Sequence, residues 1–381
     1  MARRLDPIDH PRLALVRPLD ERYREAIDAV ARARSWPTTA EVARLAPVVA
    51  DLSASYNVEG TAAARLLPAR LGFSFARDVP KGSGAVSELI VAGRLAMPEG
   101  RPLSVLDLGA GLGATTWGLV RALSAAGQGG EVSATLVDHD ASALAVAREL
   151  GAALGCDGDV RVAIRAEKRA LGSPLARGKH DVVLLGQVLS EDTGGDEAER
   201  ALRHARLLGD LVDEQLVPGG ALVVIEPALR ERTRHLQRVR DRLVAAGRPV
   251  FAPCPHAAPC PMLASPPDWC HEDLPIDLPE WLVPVARAAG LRFQRLTYSY
   301  LVIADRSAVV PGGARIVMPP HDTKGKRELV LCREGTLVSA TLLDRDVSPE
   351  NEAFATSSRG DVLDVEPLIP RLPRDGHAQR R

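Results

Sequence analysis

One short segment limits the fold of this chain more than any other. Leu103–Leu108 is an apolar run carrying a single acid, and Asp107-Leu108-Gly109-Ala110-Gly111-Leu112-Gly113 turns directly from it into a helix-forming stretch, Ala114–Ala126. A strand that passes to a helix through alternate glycines is the first half of a βαβ unit, because residues without Cβ let the backbone turn tightly and approach a ligand. The rhythm repeats downstream. Apolar runs at Val132–Val137, Val160–Ala166, Asp181–Leu185 and Ala221–Glu226 read as strands, and helical patterns at Ser142–Leu154 and Glu197–Gln215 lie between them. Such alternation predicts a parallel sheet covered by helices on both faces.

The flanking segments have other patterns. Residues 1–97 read as an N-terminal helical region, with helices at Glu21–Ser35, Thr39–Tyr56, Ala62–Phe73 and Ser83–Met97 and breaks at Pro37, Pro80 and Gly82. The α/β domain is expected over residues 98–310, with a cysteine-rich insertion at 251–273. A β-rich extension is expected at 311–345, and a flexible tail at 346–381, where the sequence is polar and punctuated by proline. At 381 residues there is ample core, and 46% hydrophobic with 25% charged residues is ordinary for a soluble globular protein. The net charge of −1 supplies no basic field, so DNA is not expected as a partner, and 3% aromatics leaves few platforms for stacking bases. Without a run of about 20 apolar residues no membrane span is expected. An N-terminus without an apolar leader points to the cytoplasm.

The glycine turn selects among nucleotide-like ligands. Asp107 precedes the first glycine, which disfavours a pyrophosphate and favours the ammonium of an amino-acid moiety; this argues for S-adenosylmethionine over a dinucleotide. Asp138, at the end of the second strand, is placed to accept both hydroxyls of a ribose and is preferred to Asp140. The cofactor-binding set is therefore Asp107, Gly109, Gly111, Gly113 and Asp138, joined by Gln187 from the loop after the fourth strand. That loop, Gly186-Gln187-Val188-Leu189-Ser190-Glu191, lacks the Asn/Asp-Pro-Pro-aromatic stretch of amino-directed nucleic-acid methyltransferases. It also lacks the cysteine of cytosine C5 enzymes. Gln187, Ser190 and Glu191 are the polar groups there, and no catalytic base is assigned.

Five cysteines are present, and their placement is uneven. Cys254, Cys260 and Cys270 lie in a proline-punctuated cluster, Cys332 lies far downstream, and Cys156 stands alone. A chain with a reducing-compartment look does not use these for disulfides. Gathered thiolates hold a soft metal or an iron–sulfur cluster. A zinc site from the same four, or with His256 or His271 replacing one, stays open, although the spacings do not match paired C-x₂-C knuckles. A basic stretch precedes the cluster: Arg234, Arg238 and Arg242 share one helix face and could sit on phosphates. Lys324, Lys326 and Arg327, between Arg315 and Arg333, form a second basic patch.

Taken together, these residues resemble the methyltransferase-like family of small-ribosomal-subunit proteins, whose mitochondrial members act in ribosome assembly. The likeness rests on Val105-Leu106-Asp107-Leu108-Gly109-Ala110-Gly111, Val188-Leu189-Ser190-Glu191, Glu226-Pro227, Pro253-Cys254-Pro255-His256, Pro259-Cys260-Pro261, Asp268-Trp269-Cys270-His271, Tyr298-Ser299-Tyr300-Leu301-Val302 and Leu331-Cys332. It runs from about Tyr56 to about Gly335. The resemblance implies a class I S-adenosylmethionine-dependent methyltransferase Rossmann-like fold and a [4Fe–4S] cluster on Cys254, Cys260, Cys270 and Cys332. It also implies a role on small-subunit rRNA during ribosome assembly or translation. The alternatives are an active methyltransferase on a small molecule or another RNA, and a zinc-stabilised RNA-binding module without catalysis.

Overall fold

A computed structural model describes residues 11–55, 66–173, 175, 178–248, 250–291, 293–304 and 312–364. The main sheet is built from β1 (Leu103–Leu108), β2 (Gly130–Asp138), β3 (Cys156–Asp157), β4 (Val160–Lys168), β5 (His180–Gly186), β6 (Leu216–Glu226), β7 (Val250–Ala252), β8 (Glu272–Leu274) and β9 (Leu296–Ala304). Its order is β3-β4-β2-β1-β5-β6-β9-β7, with β8 joined to β9. The five central strands β4, β2, β1, β5 and β6 are parallel. β9 returns antiparallel beside β6, and β7 pairs antiparallel with β9. A parallel sheet whose order reverses at β1, closed by one reversed strand next to the last edge, is the class I methyltransferase form of the Rossmann-like fold.

The helices are α1 (Glu21–Ala33), α2 (Ala46–Ser55), α3 (Leu67–Ala69), α4 (Ala76–Val91), α5 (Ala114–Ala125), α6 (Ala141–Leu154), α7 (Glu197–Gln215), α8 (Arg230–Ala245), α9 (Val283–Ala288) and α10 (Glu352–Thr356). The pleat of β1 sorts the core between two faces. Leu103 and Val105 join the layer of Val86, Trp117 and Leu119, whereas Leu106 and Leu108 join that of Leu208, Val212 and Leu236. The first layer also contains Tyr23 and Ile27 of α1, so the N-terminal helices share the core of the sheet domain.

Helix α4 departs from the sequence reading. Pro80 and Gly82, expected to break the chain, lie inside it, and a π-helical turn, Arg70–Phe75, leads into its start. A proline inside a helix costs about 3 kcal/mol. Burial of most of the helix offsets this, as does a close crossing onto α5. A Cβ added to Gly118 of α5 would stand 2.7 Å from the Gly82 Cα and 2.8 Å from the Ser83 nitrogen. The expected helix at Ala62–Phe73 falls partly outside the described residues.

A second sheet holds β10 (Ala314–Ile316), β11 (His321–Thr323), β12 (Lys326–Arg333), β13 (Thr336–Leu343) and β14 (Val362–Leu363), in the order β11-β12-β10-β14 with β13 on β12. The tail expected at 346–381 is corrected as far as residue 364, and residues 365–381 lie outside the described residues. Phe354 of α10 and Leu363 of β14 are buried with Ile316, Leu329 and Leu331, and β14 pairs with β10. Arg12 and Arg315 also donate to the Gly360 carbonyl and Arg327 to that of Ser357, so polar contacts as well as apolar ones dock the segment. The second sheet is tied to the first by a buried charge cluster. Arg315 reaches the Glu88 carboxylate at 2.9 and 3.1 Å, and Arg12 lies 3.1 Å from both Glu88 and Glu272. Burial alone would raise the Glu88 carboxyl, but the two guanidiniums hold it down at about 2. Among the described residues no helix is long and apolar enough to cross a membrane.

Candidate functional site

The carboxyl ends of β1, β2 and β5 open into a cavity of about 940 Å³, within the roughly 300–1,000 Å³ of small-molecule sites. Its floor is the glycine turn. Gly109 (φ +65°) and Gly111 (φ +53°) line it in a conformation that suits glycine, and a Cβ at Gly109 would stand 2.5 Å from Val188 Cγ2. Asp138 closes the second strand against this turn: its Oδ2 accepts the Gly111 N–H at 2.8 Å and its Oδ1 the Asp140 N–H at 2.8 Å. Oδ2 keeps a further lone pair for a hydroxyl placed above Gly111, while Oδ1 also lies 3.3 Å from His139 Nδ1. Gln187 also lines the cavity, at φ +61°, its N–H donated to the Ile225 carbonyl at 2.6 Å. The loop it begins is held from below by Glu226, whose carboxylate accepts the Leu189 and Ser190 N–H groups at 2.8 and 3.1 Å. Burial pushes that carboxyl up to about 7. Glu191, on the rim, is also raised, first by burial and then by Asp138.

Two of the expected cofactor residues have other places. Asp107 is fully buried behind the turn, where its Oδ2 accepts the Thr116 hydroxyl at 2.7 Å and its Oδ1 has no partner. Burial pushes it up to about 7. It shares the β1 face of Val105, beneath α5, so it supports the turn from behind and does not line the cavity. Gly113 (φ +81°) caps the start of α5 and likewise stands back from the wall. The sequence reading missed the opposite wall, which comes from the N-terminal region: Arg70, Ser74 and Asp78 all face the cavity. Their signal was the four-residue spacing of Arg70, Ser74 and Asp78, which places them on one helix face.

A second, apolar cavity lies against α8 on the far side of β9. Cys254, Cys260, Cys270 and Cys332 all line it, with Tyr300 and Val317. The loop carrying the first three folds around inner side chains of α8. Arg234 donates to the carbonyls of Met262, Ser265 and Asp268 at 2.9, 2.7 and 2.7 Å, and Arg240 donates to those of His256 and Ala258. The Cys260 N–H bonds Asp241 at 3.1 Å. Cys332 arrives on β12, 3.2 Å from His256 Nε2. Burial first, and neighbouring thiols second, push Cys260 and Cys332 up to about 12. Among the described residues no three His, Cys, Asp or Glu side chains are placed to hold a metal ion. Cys156 is remote from this cavity, its sulfur 3.2 Å from Arg22.

The same contacts narrow the reading of α8 as a phosphate-binding face. Of its three arginines, Arg234 is spent on loop carbonyls and Arg238 pairs with Glu197, whereas Arg242 is exposed. The second basic patch is partly neutralised. Arg315 lies in the buried cluster, Lys326 pairs with Glu328 at 2.9 Å and Arg327 with Asp322 at 3.0 Å, while Lys324 is exposed.

Comparison with known proteins follows the same lines. No curated protein matches the chain. Solved structures similar to it include a putative class I S-adenosylmethionine-dependent methyltransferase from Listeria monocytogenes, 15% identical over 76% of this chain and 89% of that one, with a TM-score of 0.38. A putative RNA methyltransferase from Pyrococcus horikoshii is 15% identical over 59% and 84%, TM-score 0.33. The plantazolicin methyltransferase in complex with SAH is 10% identical over 69% and 97%, TM-score 0.33. The model of one family, described as mitochondrial small ribosomal subunit Rsm22, matches residues 76–356 and so spans the glycine turn, the cysteine loop and most of the second sheet. This chain belongs to the Rsm22 family.

Proposed function

We propose that this chain is an S-adenosylmethionine-binding, iron–sulfur member of its family that docks on the small ribosomal subunit rRNA during ribosome assembly. The observation that carries the reading is the meeting of four thiols from two remote segments around one closed apolar cavity, on the same molecule as a nucleoside-type pocket. The donor set is all cysteine, as iron–sulfur clusters take. Cys254, Cys260, Cys270 and Cys332 would hold the cluster, and it would cross-link the loop on α8 to β12. Burial raises the Cys254 thiol, and the nearby Arg240 and Arg315 offset only part of that rise. In the pocket, Gly109 and Gly111 give backbone access and Asp138 offers a fixed acceptor for the ribose.

Co-sedimentation of the full chain with small-subunit precursor particles tests the reading. Wild-type protein is expected to travel with the particles, and Cys254→Ser to lose that association. Wild-type protein that stays at the top of the gradient contradicts it. The pocket's extension along α7, past Leu207 to Asp210 and Leu211, leaves space beside the cofactor. It favours a second reading, methyl transfer to an acceptor bound there. Transfer of a labelled methyl group to small-subunit RNA, or to a small molecule, would establish it.

A further inference from the structure

The cofactor reading leaves one end of the ligand without a partner. Asp107, the residue expected to recognise the amino-acid moiety, is sealed behind the turn. The cavity wall facing the turn is instead supplied by a segment outside the Rossmann-like sheet. There Arg70 lies across the glycine turn, its Nη2 2.6 Å from where a Cβ on Gly111 would stand. Its Nη1 makes only a loose pair, 3.6 Å, with Asp140 Oδ2, an oxygen that is buried and has no hydrogen-bond partner. Ser74 stands on the same wall, one turn further along.

We propose that Arg70 is the anchor for the α-carboxylate of the bound cofactor, a role that rests on the cofactor reading given above. S-adenosylmethionine and its demethylated product carry one anionic group, and a guanidinium offers a planar fork of donors matched to a carboxylate. Arg70 is held in place from behind. The π-helical turn Arg70–Phe75 runs into α4, and α4 is pressed onto the cofactor helix α5 at the Gly82–Gly118 crossing. A short backbone-to-backbone contact of that kind permits little sliding, so the guanidinium is carried by a wall fixed to the turn it covers. A π-helical turn at this point is in keeping with the frequent use of such turns at functional sites. The wall therefore makes the N-terminal region part of the cofactor pocket rather than a separate cap.

The test compares two ligands that differ at that end. S-adenosylhomocysteine has the carboxylate, and 5′-methylthioadenosine keeps the nucleoside and thioether without the amino-acid group. Calorimetric titration of the full chain with each is run for wild type, Arg70→Ala and Arg70→Lys. Arg70→Ala is expected to weaken S-adenosylhomocysteine at least tenfold and to leave 5′-methylthioadenosine within about twofold, with Arg70→Lys intermediate. Retained 5′-methylthioadenosine binding shows that the variants keep a folded pocket. Equal loss of both ligands, or unchanged or tighter binding of S-adenosylhomocysteine, overturns the assignment while the cofactor reading stands. Wild-type protein that binds neither ligand overturns the cofactor reading, and this assignment with it.

Discussion

The cofactor pocket and the cysteine cavity are built by opposite means. The pocket is made mainly by backbone: two glycines at positive φ, a strand-end acid bonded to the Gly111 N–H, and a loop fixed by Glu226. Its glycine turn is local in sequence, and the ends of neighbouring strands bring Asp138 and Gln187 to it. The cavity is made by side chains. Its sulfurs come from a loop with little regular structure and from β12, and the loop is shaped by guanidiniums of α8 that fill its carbonyls. A site of the first kind depends on local geometry. A site of the second depends on the whole tertiary structure closing correctly.

That contrast can be broken first at the contact on which the pocket wall rests. Gly118→Ala puts a methyl group against backbone on α4. It is expected to cost on the order of 3 kcal/mol or more, read as a lower denaturation midpoint, and to weaken cofactor binding as the Arg70 wall shifts. A neutral result would mean that α4 is not seated on α5.

The next effect belongs to the seam near the cysteine cavity. Glu88 is held at about 2 in the folded chain against an ordinary value of 4.5. The shift is worth about 3 kcal/mol. Because the folded value is depressed, this stability is present above about pH 4.5 and is lost as the pH falls through 4.5 towards 2. Glu88→Gln should therefore lower stability at pH 7 and flatten the acid limb of a stability–pH curve measured between pH 6 and 3. Parallel curves for the two proteins would contradict the ion cluster.

A smaller change separates pocket from fold. Gly109→Ala forces an L residue into positive φ against Val188. The strain is about 2 kcal/mol, expected as a roughly 30-fold weaker affinity for S-adenosylhomocysteine with the thiol cavity intact. Smallest of all is Asp107→Asn. Its amide can still accept from Thr116, and the group does not face the cavity, so affinity should move by less than about twofold, or ~0.4 kcal/mol. A large loss would restore Asp107 to the binding wall.

What the sequence made legible follows the same division. The parallel sheet, helix α7 and the place of Asp138 at the end of β2 could be read, because glycine chemistry and alternating patterns act over a few residues. Asp107 was misplaced for a reason of pleating: it falls on the β1 face of Val105, under α5, one position out of phase with Leu108, which does line the cavity. The face of Arg234, Arg238 and Arg242 was read as a surface because charge alone does not reveal that Arg234 turns inward to the carbonyls of a loop. Arg70 lay outside the strand-turn-helix pattern and became visible only when α4 packed on α5. The docked segment ending at Leu363 rests on a few apolar contacts, joined by polar ones to the Ser357 and Gly360 carbonyls, that a polar background concealed.

Iron and acid-labile sulfide content of the full chain purified without oxygen, beside Cys332→Ser, tests the central claim most directly. A brown wild-type protein with about four irons and four sulfides per chain, and a variant that has lost most of both, is the result predicted. A colourless wild-type protein carrying one zinc, or iron unaffected by the change at Cys332, would contradict it.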